Sequence, residues 1–437
     1  MGKSTQVYKS HLLDDPRFTP GAESPAWLAA MGEADAAAEK HLEYEDFLRD
    51  KVVHTPQFGF TVDAGEITSH FLDGTILKPH QRDIIQWACA GGRRAIFAAF
   101  GLSKTIIQLE IARLTCKHQG GRFLIVCPLS VRHQFFEDAE KKLGIEIKFI
   151  RRIEEATETG IYITNYETIR DGKLNPREFT GASLDESSIL RGMCSGTKTY
   201  RECLHRFEGM KYKFVATATP SPNEFIELLA YSSFLEVGDV GQAKTRFFKR
   251  DSTKADHLTL HAHKKYEFLL WCCTWAIFLT KPSDLGYDDT GYDLPELEIH
   301  WHEIPTDQSE PGEEVSGQMR LVKHQAIGVV DSSREKRQSM SARVAKMMEL
   351  RALDPSAHRL IWHDLEDERR AIEAAIPGIT TIHGKGTSER QLEVRDRKLL
   401  DFSHGNIQEL ATKPSIAEKF GQNGLKYFNT VIYYVPI

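Results

Sequence analysis

The chain has 437 residues, enough for two or three domains. Hydrophobic residues make up 41% and charged residues 27%, a balance of folded chains rather than disordered ones. The net charge of -6 excludes a protein that holds nucleic acid by bulk positive charge, so any such binding needs a local basic surface.

The opening "MGKSTQVYKSHLLDDPRF" has no apolar core like that of a signal peptide, and Gln6 stands where a myristoylation signal requires Ser or Thr. No apolar run approaches the roughly 18 residues that cross a bilayer. The seven cysteines form no Cys-x-x-Cys pair, which fits reduced thiols in a cytoplasmic protein. Residues 1–42, rich in Ala and Glu, are expected to form a helical arm, and residues 1–65 an N-terminal arm overall.

From residue 93 short apolar runs ending in polar or glycine residues alternate with helical stretches: "RAIFAAF", "RFLIVCP", "GIYITNY", "ASLDE" and "YKFVATATP". Buried parallel strands with crossover helices read this way, and their ligands sit at the carboxyl ends. A second series follows near the C-terminus: "RLIWHD", "ITTIHG", "IQELATKP" and "TVIYYVP". The predicted fold class is α/β, two parallel-sheet lobes with a helical intervening region. The first lobe is placed at 66–250, a linking region at 251–340 and the second lobe at 341–437. Between the two series "YEFLLWCCTWAIF" (266–278) reads as a buried helix, "DQSEPGEEVSGQ" as an exposed loop and "SREKRQSMSARVAKMMELRAL" as a helix. "KKLGIEIKFIRR" (141–152) reads as a solvated face around one strand.

The first strand runs into "GLSKT", a strand-to-helix turn made of Gly101, Leu102, Ser103, Lys104 and Thr105. A helix N-terminus offers free N–H groups to phosphate. Lys104 is placed to reach the outer phosphates of ATP, and the Thr105 hydroxyl to complete a Mg²⁺ shell. Gly101 lets the backbone approach closely. Ser103 departs from the expected glycine, and if the position needs a positive φ its Cβ costs about 1 kcal/mol or more. Upstream, the Gln81 amide can pair with adenine. Downstream, Asp185 can hold Mg²⁺ through water while Glu186 polarises the attacking water. Thr217 and Thr219 end the next strand. Taken singly, each has an ordinary explanation: a chance Lys-Thr, a solvated helix glutamine, an acidic helix cap. "HWH" (300–302) and "HAH" (261–263) lack further ligands at metal-site spacing and read as surface or cleft histidines.

Together with "LIVCPLSVRHQF", "ITNYETI", "LDESSIL", "ATATPSPNEFIEL", "TKPSDLGYDDTGYDLP", "LIWHDLEDE" and "ATKPSIAEKFGQN", these segments carry a resemblance. The chain resembles superfamily-two helicases and translocases, and more closely the Swi/Snf-like branch of DEAD/DEAH-box helicases found in phages and prophages, over about residues 43 to 437. The resemblance implies a two-lobed RecA-like motor with ATP in the cleft, sequence-independent contact with duplex DNA, and a prokaryotic, cytoplasmic setting. It assigns coupling to Thr217 and Thr219, and proximity to the DNA backbone to Ser130, Asn165, Tyr166, Thr412 and Lys413. It also suggests a methyltransferase or nuclease partner. In the family an arginine-rich motif follows the fifth one; this sequence reaches "FNTVIYYVPI" before it, so the second lobe is expected to be incomplete, and either the chain is a truncated product, or a partner supplies the arginine, or hydrolysis has been lost. The alternative reading is a nucleotide-responsive DNA-binding module without efficient hydrolysis.

Overall fold

The structure is a computed structural model. It describes residues 55–193, 196–250, 258–292, 298–304, 312–313, 319–320, 336–337, 339–383, 389–417 and 430–433. The helical arm expected over 1–42 lies outside them, and so does most of the loop expected at 307–318. The chain divides at Leu294/Pro295 into two compact units.

Among the described residues of the first unit nine strands form in chain order: β1 Arg93–Ala98, β2 Arg122–Val126, β3 Ile147–Phe149, β4 Gly160–Thr164, β5 Gly181–Asp185, β6 Tyr212–Thr217, β7 Phe248–Arg250, β8 Leu258–Leu260 and β9 Ala276–Leu279. Seven build one sheet in the order β3-β4-β2-β5-β6-β1-β9, parallel throughout, while β7 and β8 pair antiparallel apart from it.

The sheet is buried on both faces, which explains why its strands read as continuous apolar runs. Successive residues point to opposite sides. Ala95, Phe97, Leu124 and Val126 enter one core cluster, and Ile96, Ala98, Phe123 and Ile125 enter the other. Helices α1 Pro79–Gly91, α2 Lys104–Gln119 and α3 Arg132–Asp138 cover the second side. Helices α4 Tyr166–Arg170, α5 Lys198–Phe207, α6 Leu228–Leu235, α7 Val240–Phe247 and α8 Lys265–Cys273 cover the first. The result is three layers with helices on both faces, the α/β architecture the sequence rhythm predicts.

One element differs from the sequence reading. The run 266–278 is not a single helix: α8 stops at Cys273, and the chain re-enters the sheet as β9, pairing Ala95 with Ala276 and Ala98 with Leu279. A four-residue apolar strand directly after an apolar helix has no periodicity of its own to reveal it. The first sheet therefore extends beyond residue 250, into the stretch assigned to the linking region.

The second unit contains a short antiparallel pair, β10 Gly312–Glu313 and β11 Met319–Arg320, and a four-stranded parallel sheet. Its strands are β12 Arg359–Trp362, β13 Thr380–Thr381, β14 Glu409–Thr412 and β15 Thr430–Tyr433, in the order β13-β14-β12-β15. Helix α9 Met340–Leu353 falls where the sequence places one, and α10 Glu366–Ala375 and α11 Glu389–Ser403 follow.

Candidate functional site

The chain leaves β1 at Ala98 and enters α2 at Lys104, so the five intervening residues form a loop over the carboxyl edge of the sheet. The Ala99 amide donates to the Leu279 carbonyl of β9 at 2.7 Å, anchoring the start of this loop. Ser103 sits at φ 56 and ψ 42, in the left-handed region, and its side chain caps nothing. This is the conformation in which a Cβ is costly, and such strain persists where surrounding structure over-determines it. Leu102 is buried in the core, which pins the loop from below.

The Lys104 Nζ donates to the carbonyls of Ala98 at 2.9 Å and Ala99 at 3.1 Å. Burial lowers its pKa, opposed by the nearby charges of Asp185 and Glu186. An ammonium has three donors, so one remains for an incoming anion. Thr105 follows in the first helical turn, largely buried.

Asp185 ends β5 directly across from this turn. Its Oδ1 accepts from Gln108 Nε2 at 2.7 Å, and Gln108 Oε1 accepts in turn from the Ser183 hydroxyl at 2.6 Å. Its backbone carbonyl accepts from the Tyr166 hydroxyl at 2.6 Å. Burial, and then the charge of Glu186, push the Asp185 carboxyl up to about 7, while the Gln108 bond and the Lys104 charge oppose them. Glu186 also adopts the left-handed conformation, at φ 47. The Thr217 hydroxyl reaches its Oε2 at 3.4 Å, and the Thr219 amide donates to the Thr217 hydroxyl at 3.2 Å. Lys104, Asp185, Glu186 and Thr217 are thus brought together at the carboxyl ends of β1, β5 and β6. Thr219 lies exposed just beyond.

A hydroxyl and a carboxylate are the hard oxygen donors that suit Mg²⁺, which keeps several waters and takes few protein ligands. A buried carboxyl crowded by a second acid is also one whose charged form a cation would favour. The donor set of Thr105 and Asp185 therefore fits the ion.

Other expectations are modified. Gln81 is buried near the start of α1, and its Oε1 accepts from the Lys78 amide at 2.9 Å. Part of the amide expected to read adenine thus closes its own helix turn. The same helix carries the 280–292 segment: the Tyr287 hydroxyl donates to the Asp83 carboxylate, and the Tyr292 hydroxyl lies 3.4 Å from His80 Nε2. Asn165 and Tyr166, expected beside a DNA backbone, point inward. Asn165 caps α4 by accepting from the Thr168 amide at 2.8 Å, and Tyr166 is committed to Asp185. Thr412 is fully buried at the end of β14, leaving Lys413 partly exposed after it. The Ser130 side chain lies outside the described residues. No described helix is long and apolar enough to cross a membrane.

Gln108 and Ser183 escaped the sequence reading. The signal was available in register: Gln108 follows Lys104 by four positions on a helix, and Ser183 precedes Asp185 by two on a strand.

No family model and no curated protein matches this chain. Among solved structures, the SWI2/SNF2 ATPase core of Sulfolobus solfataricus in complex with dsDNA is 16% identical with a TM-score of 0.44, covering 84% of this chain and 88% of that one. The SWI2/SNF2 ATPase core domain of the same organism is 15% identical, with a TM-score of 0.41 over 87% and 89%. The Hef helicase domain of Pyrococcus furiosus is 12% identical, with a TM-score of 0.44 over 82% and 90%. At this level of similarity the parallel sheet and the loop geometry, not these likenesses, carry the reading of the site.

Proposed function

We propose that this chain is an ATP-hydrolysing motor that moves along nucleic acid, duplex DNA in the first instance. One observation carries the reading: a lysine at a helix N-terminus, behind a strained strand-to-helix loop, faces an adjacent Asp-Glu pair at the end of a parallel strand. That combination suits a triphosphate and a hard divalent cation better than it suits structural support.

In this reading the α2 amides and the free donor of Lys104 bind the outer phosphates. Thr105 and Asp185 hold Mg²⁺, which when bound neutralises phosphate charge. Glu186 accepts a proton from, or orients, the attacking water. The Thr217 hydroxyl on Glu186, and the Thr219 amide on Thr217, link that carboxylate to the loop leaving β6, a route by which the state of the nucleotide reaches the surface. Support for nucleic acid as the track comes from the sequence segments shared with translocases. The negative net charge fits contacts confined to a local surface. The suggested methyltransferase or nuclease partner is tested by co-purification with this chain.

A second reading, a nucleotide-responsive DNA-binding module without efficient hydrolysis, is favoured by the two backbone carbonyls that occupy Lys104. An assay in which an advancing motor strips a third strand from a DNA triplex separates the two. ATP-dependent displacement by the wild type, absent with a non-hydrolysable analogue, supports the motor. ATP-dependent DNA binding without displacement supports the module.

A further inference from the structure

We infer that Gln108 is a positioning residue for Asp185, with Ser183 setting the orientation of its amide, so that the pair fixes how the carboxylate is presented to a divalent cation. This rests on the Mg²⁺-nucleotide reading of the loop and extends it to two residues in the layer beneath. Gln108 and Ser183 are fully buried, and Ile107, Leu109 and Ile111 beside Gln108 on α2 lie in the core. An amide placed there is costly unless each of its groups finds a partner. Both partners come from one face of β5, since Ser183 and Asp185 are two residues apart. Helical register sets Gln108 one turn below Lys104, on the side that meets β5.

The direction of the chain of bonds follows from donor chemistry. The Ser183 hydroxyl donates to Gln108 Oε1, which leaves Nε2 to donate to Asp185 Oδ1. An inverted amide would set its carbonyl oxygen against the carboxylate, acceptor against acceptor. The Tyr166 hydroxyl holds the Asp185 main chain as well, through its carbonyl. Rotation of the carboxylate is therefore restrained before any cation arrives. Outer partners of this kind order a metal ligand and tune its affinity.

The test is equilibrium binding of N-methylanthraniloyl-ATP to the full chain during Mg²⁺ titration, starting from excess chelator. Wild type, Gln108→Leu, Ser183→Ala and Lys104→Ala are compared, with thermal unfolding run alongside. Gln108→Leu is expected to raise the Mg²⁺ midpoint by about tenfold with metal-free affinity unchanged. Ser183→Ala shifts it the same way by less. Midpoints equal to wild type in both variants overturn the positioning role while leaving the nucleotide site standing. Loss of metal-free binding in Gln108→Leu, with Ser183→Ala unchanged, reduces Gln108 to packing and also overturns it. A wild type that binds no nucleotide at any Mg²⁺ concentration, indistinguishable from Lys104→Ala, removes the nucleotide reading itself.

Discussion

The hydroxyl of Tyr166 donates to the backbone carbonyl of Asp185 across 2.6 Å, joining the segment after β4 to the acid at the end of β5. Tyr166 is buried, and its hydroxyl is committed to this bond. Tyr166→Phe leaves the carbonyl of Asp185 without this donor in a buried place, at a cost of about 1–3 kcal/mol. Urea denaturation is expected to show that loss, while duplex DNA affinity at fixed salt stays at the wild-type value. A specific loss of DNA affinity with stability intact would return Tyr166 to the surface role its sequence context suggested.

Ser103 offers a test of loop strain. Its φ of 56 penalises any Cβ, and its hydroxyl makes no capping bond to offset the penalty. Ser103→Gly is expected to stabilise the chain by up to about 1 kcal/mol, with glycine's own backbone entropy taking back part of the gain. Ser103→Ala, which keeps the Cβ and removes only the hydroxyl, should unfold at the same denaturant concentration as wild type. Equal stability in all three chains would remove the strain.

These contrasts show where the sequence was legible. Lys104, Asp185 and Glu186 could be found because apolar runs end abruptly in charged residues, and a parallel sheet gathers strand ends on one edge. Gln108 could not, because a single amide on the buried side of a helix shows its partners only when the strand register beneath it is known. The internal bonds of Asn165 and Tyr166 were hidden for a related reason: polar residues at a strand exit face either solvent or a neighbouring strand's last carbonyl, and sequence does not choose between them. Strand β9 was hidden by the apolar helix directly before it.

The response to acid follows from two buried histidines. Burial first, then the charge of Lys78, holds His80 down at about 4 from its ordinary 6.5, against a contrary pull from Asp289. Burial first, then Lys413, does the same for His363, also to about 4. From 6.5 downward the unfolded chain binds these protons and the folded chain does not, so their stabilisation is complete above 6.5 and is lost as pH falls toward 4. Asp185 has the opposite sign: raised to about 7 from 3.8, it takes up its proton first in the folded chain and adds stability as pH falls through that window. In denaturation curves at neutral and mildly acidic pH, His363→Leu is expected to flatten the acid loss and Asp185→Asn to steepen it. A His363→Leu chain that loses stability as steeply as wild type would contradict the burial of that ring as a neutral group.

Glu186 is the residue assigned to water. Glu186→Gln keeps its size and its contact with Thr217 but removes the base, so hydrolysis is expected to fall by about 10²–10⁴-fold. Nucleotide affinity should hold, which a filter-binding or fluorescence titration checks directly. If affinity and turnover fall together, Glu186 belongs to binding and the water-activating group lies elsewhere.

The most direct measurement is steady-state phosphate release from Mg²⁺-ATP by the wild-type chain, with and without duplex DNA, beside Lys104→Ala. The account predicts turnover that rises with DNA and disappears in Lys104→Ala while that variant stays folded by circular dichroism. Turnover that survives Lys104→Ala would place the activity outside this loop, and a folded wild type that releases no phosphate with or without DNA would contradict the motor.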